Sequence, residues 1–331
     1  MNTISLENTA FEGHNNAYLL TGDVTTLIDT GVATPDTREQ LRSGLADVGL
    51  SFSAVDQILL THWHSDHAGL AGEIQAESGA IVRAHRADAP LIEQDDTAQT
   101  AMNDRQRKLF DAWGMPDEPR EELLSFMAAS ADNSGMPPSV EPFVPGERIE
   151  AGDRTLTVVH LPGHTAGLCG FSFESDRGTE LFSGDALLPY YTPNVGGADV
   201  RVESPLASYL DTLTSIVERE PEFVRAWPGH RGPIIDPAGR AADIIAHHRE
   251  RTDRILSVLE THGPADAWTV SAHLFGNLDN IHIIHGPGEC AAHLAFLASH
   301  GIVEDTPDGY TIIGYTKDVA NHFNGESSLD L

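Results

Sequence analysis

The sequence predicts an α+β fold: a sheet-and-helix body, a helical insertion within it, and a small helical unit that ends in a hairpin. Three observations predict this. Short apolar runs alternate with helical stretches over most of residues 1–237. The rhythm breaks between about 90 and 145, where the chain turns polar and helical. Beyond Pro233–Gly239 the pattern changes to three helices and a hairpin. The length, 331 residues, suits one large unit and a small one.

The elements follow in order. Ala17–Leu20 and Thr25–Ile28 are apolar runs split by Gly22-Asp23, a hairpin signal. Pro35–Leu45 reads as a helix, with Thr34 as its cap and Pro35 at the first helical position. Gln57–Leu60 is a strand, Ala68–Ala76 a helix, and Ala80–Ala84 the next strand. In the insertion, four methionines (Met102, Met115, Met127, Met136) join Phe110, Trp113 and Phe126. They predict a small apolar core of its own, or a cover over a substrate pocket, since methionine surfaces adapt to varied apolar ligands. The insertion ends in the loop Met136-Pro137-Pro138. Arg154–Leu161, Cys169–Phe173 and Glu180–Phe182 are further strands, and Ser204-Pro205 opens a helix reaching about Arg219. Then come helices over Arg240–His262, Thr269–Phe275 and Gly288–Ser299. A hairpin over Ile302–Ile313 turns at Pro307-Asp308-Gly309. The expected units are 1–237, 238–316 and a loosely held tail, 317–331.

Charge restricts the partners. Against 50 Asp+Glu stand 20 Lys+Arg, a net charge of −30, and only Lys108 and Lys317 are lysines. Nonspecific nucleic-acid binding needs cations to neutralise phosphates, and anionic membranes need the same. The acidity does not signal disorder, because 40% of residues are hydrophobic. It fits a folded protein adapted to concentrated salt, where self-repulsion is screened over about 3 Å. No apolar run reaches the roughly 18 residues of a membrane span. The start, Met1-Asn2-Thr3-Ile4, lacks the basic and apolar regions of a signal peptide. Cys169 and Cys290 form no CxxC pair. A reducing cytoplasm is the simplest location.

The chemistry concentrates in histidine and aspartate. Thr61–Gly69 reads T-H-W-H-S-D-H-A-G, so His62, His64, Asp66 and His67 fall within six residues directly after a buried strand. Groups packed this closely repel one another unless a cation neutralises them. Imidazole with carboxylate suits zinc, iron or manganese. Three later strand ends add Pro162-Gly163-His164, Ser183-Gly184-Asp185 and Pro228-Gly229-His230.

On these motifs, over roughly residues 10–237, the chain resembles the metallo-β-lactamase superfamily, whose pattern is HxHxDH followed by His, Asp and His. The resemblance implies a four-layer αββα sandwich with two divalent metal ions, zinc foremost, at one edge of its sheets. Carried over by position, His62, His64 and His164 would bind one ion. Asp66, His67 and His230 would bind the other, and Asp185 would bridge both opposite a hydroxide. Asp29, in Leu27-Ile28-Asp29-Thr30-Gly31, matches a position behind the ligands; a strand-ending Asx turn is the equal alternative. Antibiotic-degrading members usually lack the bridging aspartate. Asp185 therefore points to the glyoxalase II-like thioesterases, lactonases and nucleases.

Such a pair of ions lowers the pKa of a shared water, and the hydroxide attacks a carbonyl or phosphoryl centre. Asp66 faces it and steers its remaining proton. Thr165 would hydrogen-bond a neighbour of the ligands. Tyr190, Tyr191 and Asn194 are oxyanion donors or packing residues of a Pro-rich loop. His85 and His160 read as structural, and His247 and His248 as solvated. The absence of GxGxxG and P-loop patterns excludes a nucleotide cofactor site of those kinds.

Over residues 228–314 the chain resembles the winged-helix extension of β-lactamase-like protein 2 relatives, which places that unit over 238–316. The match lies in His247-His248-Arg249, Ala291-Ala292-His293-Leu294 and Gly301-Ile302-Val303. Its candidate recognition helix, Gly288–Ser299, has no Lys or Arg, and the wing carries Glu304, Asp305 and Asp308. A DNA-reading role is disfavoured; a lid or a contact in a homodimer is the better reading. The function expected is hydrolysis of a small ester, thioester or lactone. The alternative is a single-stranded endoribonuclease, for which Arg105, Arg107 and Lys108 are the one dense basic group; a non-catalytic interaction protein with a structural metal fits poorly. If the acidity is a salt adaptation, unfolding free energy rises as KCl is raised in refolding titrations. Equal stability with and without salt would contradict it.

Overall fold

Along the second strand of the chain, Tyr18 and Leu20 point one way and Ala17 and Leu19 the other, and all four are buried. A strand apolar on both faces must be covered on both, and this arranges the molecule in layers. The computed structural model describes residues 1–7, 13–314 and 323. The first half runs β1 (Asn2–Leu6), β2 (Asn15–Leu20), β3 (Thr26–Ile28), α1 (Pro35–Ala46), β4 (Gln57–Leu59), α2 (Ser65–Ala68), α3 (Ala71–Ser78), β5 (Ile81–His85), α4 (Ala89–Ile92), α5 (Asp96–Ala112), α6 (Asp117–Ala129) and β6 (Val140–Phe143). There follow β7 (Arg148–Ala151), β8 (Arg154–His160), β9 (Cys169–Ser175), β10 (Gly178–Gly184), α7 (Pro205–Val217), β11 (Arg225–Pro228), α8 (Pro237–His262), α9 (Ala267–Phe275), α10 (His282–Ser299), β12 (Val303–Thr306) and β13 (Gly309–Ile312).

Strands β1 to β6 form one sheet in sequence order; β11-β10-β9-β8-β7 form a second. Strands β3, β4, β5 and β6 run parallel, in register Ile28↔Leu59 and Leu59↔Arg83, so α1 and α3 serve as crossovers. Between the sheets lie Tyr18, Leu20, Ile28, Leu59 and Phe143 from the first, and Leu156, Val158, Phe171 and Phe182 from the second. The outer face of the first sheet packs Leu19, Leu27 and Ile58 with Leu41 and Leu45 of α1 and Ile74 of α3. The outer face of the second packs Leu181 and Ala226 with Tyr209, Leu213, Ala241 and Ile244 of α7 and α8. The result is the expected α+β sandwich of four layers, αββα.

Helix α1 begins as its sequence dictates: Thr34 Oγ1 accepts from Thr37 N at 3.3 Å, with Pro35 next. Elsewhere the boundaries move. The single helix expected over 68–76 breaks into α2 and α3, and α2 carries Asp66 and His67. The segment 90–145 is not wholly helical, because β6 closes it as an edge strand. Its Pro142 and exposed Glu141 hid the apolar alternation. Nor does the insertion keep a core to itself: Met102, Phe110, Trp113, Met115 and Leu123 join Leu256, Val270, Ile284 and Leu297 in one cluster. Helix α10 starts at His282, six residues before the expected Gly288, with Pro287 inside it.

The C-terminal elements are α8, α9, α10 and the hairpin β12–β13, in the expected order. The tail expected over 317–331 falls outside the described residues except Phe323, whose ring lies 5.3 Å from Phe296. Among the described residues no helix is long and apolar enough to cross a membrane, and both cysteines are buried and unpaired. Phe171 is fully buried between the sheets. Phe171→Ala is expected to cost about 3–5 kcal/mol of unfolding free energy in denaturant titrations; a cost below about 1 kcal/mol would show that the two sheets do not share this core.

Candidate metal centre

Each of the two sheets ends at the same edge of the sandwich. Strand β4 runs into His62, His64, Asp66 and His67; β8 leads to His164, β10 to Asp185 and β11 to His230. All seven sequence-predicted residues meet there. His62 Nε2 lies 3.0 Å from His64 Nδ1, which lies 3.1 Å from His164 Nε2. His230 Nε2 and His67 Nε2 lie 3.5 and 3.9 Å from Asp66 Oδ2. Asp185 reaches both groups: its Oδ1 is 3.5 Å from His67 Nε2, and its Oδ2 is 3.4 Å from His230 Nε2 and 3.8 Å from His164 Nε2. Donors bound at 2.0–2.1 Å around a tetrahedral ion stand roughly 3.3 Å apart. Two such triads, His62–His64–His164 and Asp66–His67–His230, are present.

The outward nitrogens explain this convergence. His62 Nδ1 meets Thr61 Oγ1 at 3.0 Å, and that hydroxyl itself donates to Asp29 Oδ2, so the imidazole is the donor. His67 Nδ1 donates to Asp29 Oδ2 at 2.9 Å, and His164 Nδ1 to Asn194 O at 2.8 Å. His230 Nδ1 donates to Gly13 O at 3.3 Å, and His64 Nε2 to Ala198 O at 3.4 Å. Each of the five rings therefore spends one N–H outside the cluster and turns its other nitrogen inward, where it offers a lone pair whenever it is unprotonated. That is how histidines are held for a metal. His67 Nε2 and Asp185 Oδ1 are buried without a hydrogen-bond partner, an orphaning that a cation between them removes. The donor set fits two divalent ions.

Electrostatics agree. Burial, with neighbouring imidazoles, lowers His62 and takes His64 down to about 3, so both stay neutral. Burial alone would raise Asp185, but His230 and His67 hold it well below the usual carboxylate range. His67 is the reverse: burial would lower it, and Asp185, Asp66 and Asp29 raise it well above the ordinary histidine value. His230 is raised in the same way, chiefly by Asp185.

Around the cluster the remaining candidates separate. Asp29 is no mere turn residue: at φ +57° it accepts from Thr61 N and Thr61 Oγ1, each at 2.8 Å, besides His67. Thr165 Oγ1 donates to Asp88 Oδ2 at 2.9 Å. Asn194 supplies its carbonyl to His164, while its amide donates to His285 O and Glu289 Oε2 of α10. Tyr190 is 77% exposed. His85 and His160 stack on each other at 4.7 Å, outside the triads. His248, expected in solvent, is fully buried and hydrogen-bonds His293 at 3.2 Å, because α8 turns that face onto α10.

Sequence reading missed Asn15, whose amide donates to Asp66 Oδ2 at 3.1 Å. The signal was there: Asn15-Asn16 opens an otherwise apolar strand. It also missed the contact that fixes the loop 194–198. A Cβ on Gly288 would stand 2.4 Å from Gly197 Cα, so α10 packs backbone to backbone against the loop whose carbonyls hold His64 and His164. Gly229 is required for a similar reason: a Cβ there would stand 2.3 Å from Asp185 Oδ1.

A metal that takes the lone pair of His67 or His230 must expel the proton favoured there. Adding Zn²⁺ to chelator-treated protein near pH 7 is thus expected to release protons. Affinity should rise with pH through the neutral range and level off above the raised value of His67. Proton-neutral binding, read by pH-stat or by calorimetry in two buffers, would contradict it.

The family model described as the metallo-beta-lactamase superfamily matches residues 10–230. The crystal structure of TTHA1429, a metallo-beta-lactamase family protein from Thermus thermophilus, superposes with a TM-score of 0.78 at 30% identity, covering 94% of this chain and 98% of that one. The "Probable metallo-hydrolase YqjP" of Bacillus subtilis is 27% identical over 303 residues, 89% of this chain and 91% of its own length. The "Beta-lactamase-like protein 2 homolog" of Drosophila melanogaster is 29% identical over 248 residues, 73% of this chain and 66% of its own. The chain belongs to the metallo-beta-lactamase superfamily of metal-dependent hydrolases.

Proposed function

We propose that the chain is a binuclear metal-dependent hydrolase acting on a small ester, thioester or lactone, with thioesters foremost. The observation that carries this is the convergence of five imidazole lone pairs and two carboxylates, with Asp185 reaching both triads. Two divalent ions, zinc by the chemistry of the donors, would supply activation of a water near neutral pH and polarisation of the acyl oxygen. His62, His64 and His164 would hold one ion and Asp66, His67 and His230 the other, with Asp185 within reach of both triads. Asp66, steadied by Asn15, accepts a hydrogen bond from the attacking water and orients it. Water adds to the acyl carbon, the C–S or C–O bond breaks, and the proton leaves with the thiol or alcohol beside the new acid.

Three facts favour an acyl substrate over a polyanion. The net charge is −30. Helix α10 carries no Lys or Arg to enter a groove. A relative described as "Atrochrysone carboxyl ACP thioesterase dmxR1", from Cryptosporiopsis, is 23% identical over 251 residues, 75% of this chain and 58% of its own length. In this reading 1–237 is the catalytic unit, and 238–316, winged-helix-like in its order of elements, braces it. The test is a hydrolysis panel in high KCl of thioesters, lactones, a phosphodiester and short RNA, with metal analysis. Thioester turnover with two ions per chain is expected. His64→Ala should remove one ion and lower turnover by more than about a hundredfold, since even residues behind a ligand cost 10–100-fold. Protein without metal, unchanged turnover in the variant, or cleavage of RNA alone would overturn the reading.

A further inference from the structure

Helix α5 presents one face, spaced as i, i+3, i+4, i+7, made of Ala98, Ala101, Met102, Arg105, Lys108 and Leu109. Opposite it stand Ala87, Pro90 and Leu91, and between them is a cavity of about 750 Å³. Its lining is mostly apolar, and its charged members are Asp104, Arg105, Lys108 and Arg201. Lys108 is one of only two lysines in 331 residues, in a chain with 50 acids against 20 bases. Even so, Arg105 and Lys108 make no hydrogen bond or ion pair among the described residues, and both are exposed. The third cation of the run, Arg107, is paired with Asp104 at 3.2 Å. Asp104, the acid of the lining, is thus taken up by Arg107, and two unpaired cations on one cavity lining are out of keeping with so acidic a surface.

Arg201 links the cavity lining to the neighbourhood of the metal centre. This guanidinium lines it and is held at 2.6 Å by both Asp88 and Asp199, so it serves as a fixed wall rather than a free charge. It also lies 5.7 Å from the Trp63 ring, which in turn lies 4.7 Å from His64. Asp88 also holds Thr165, the neighbour of His164.

We propose that this cavity binds an amphipathic anion: an apolar segment along Leu91, Ala98 and Met102, with its anionic group at Arg105 and Lys108. It would take the part of the substrate remote from the reacting bond, and in that respect the proposal rests on the acyl-hydrolase reading above. The anion has two sources, a phosphate-bearing carrier or an acid group on the acyl chain itself.

Three decanoyl thioesters separate these sources: one on coenzyme A, one on uncharged N-acetylcysteamine, and one on N-acetylcysteamine with a terminal carboxylate on the chain. Arg105→Glu with Lys108→Glu, both on the surface, is expected to raise KM roughly tenfold for at least one anionic thioester and to leave the neutral one within about twofold. The arm that moves identifies the source. Arg148→Glu with Arg177→Glu changes net charge equally and should move none. KM values unaltered for both anionic thioesters, or raised alike in all three or by the control variant, would overturn the proposal. If no thioester is turned over, the hydrolase reading is what fails. The cavity is then read by titrating the metal-loaded protein with anilinonaphthalene sulfonate, whose affinity should fall roughly tenfold in the double variant; unchanged affinity would overturn the proposal.

Discussion

Five imidazoles and two carboxylates share one buried volume at the ends of strands, and water is excluded from most of it. Such groups lose solvation and repel their own kind, which is why burial depresses His62 and His64 while Asp185 and Asp66 are held ionised only by facing imidazoles. A fold keeps such an arrangement only if something of opposite sign completes it. Two divalent ions would do so in one step. They would also remove the need for a general base among the side chains, since the nucleophile comes from water.

The rest of the molecule holds those lone pairs in place. Asp29, at the end of β3, fixes Thr61 and His67 together; Asn15, at the start of β2, holds Asp66; Gly13 O takes the outer proton of His230. The other half of the support comes from far along the chain. Asn194 and Ala198 hold His164 and His64, and their loop is clasped by α10 through Gly288, His285 and Glu289. Helix α10 shares its core with the insertion through Ile284, Leu297, Phe110 and Met115. The C-terminal elements are thus continuous with the site.

Much of this was readable in the residues. A dense run of His and Asp after an apolar strand has few solutions other than a metal, and the Pro-Gly-His and Ser-Gly-Asp turns signal chain reversals at strand ends. Helix α1 was readable because Thr34-Pro35 marks its start. What escaped depended on contacts between distant segments. Strand β6 was hidden by Pro142, whose place on an edge is fixed only once β5 is beside it. The burial of His248 follows from the packing of α8 on α10, and the Asp88–Arg201–Asp199 network joins residues over a hundred positions apart. Asp29 had a local explanation as good as the true one until His67 was seen beside it.

The central claim is that these seven side chains form one site for two ions. Anomalous X-ray diffraction at the metal absorption edge tests it most directly. The account expects two peaks per chain, about 3.5–4 Å apart. One should lie among His62, His64 and His164 and the other among Asp66, His67 and His230, with the Asp185 carboxylate between them. A single peak, or peaks away from these residues, would contradict it.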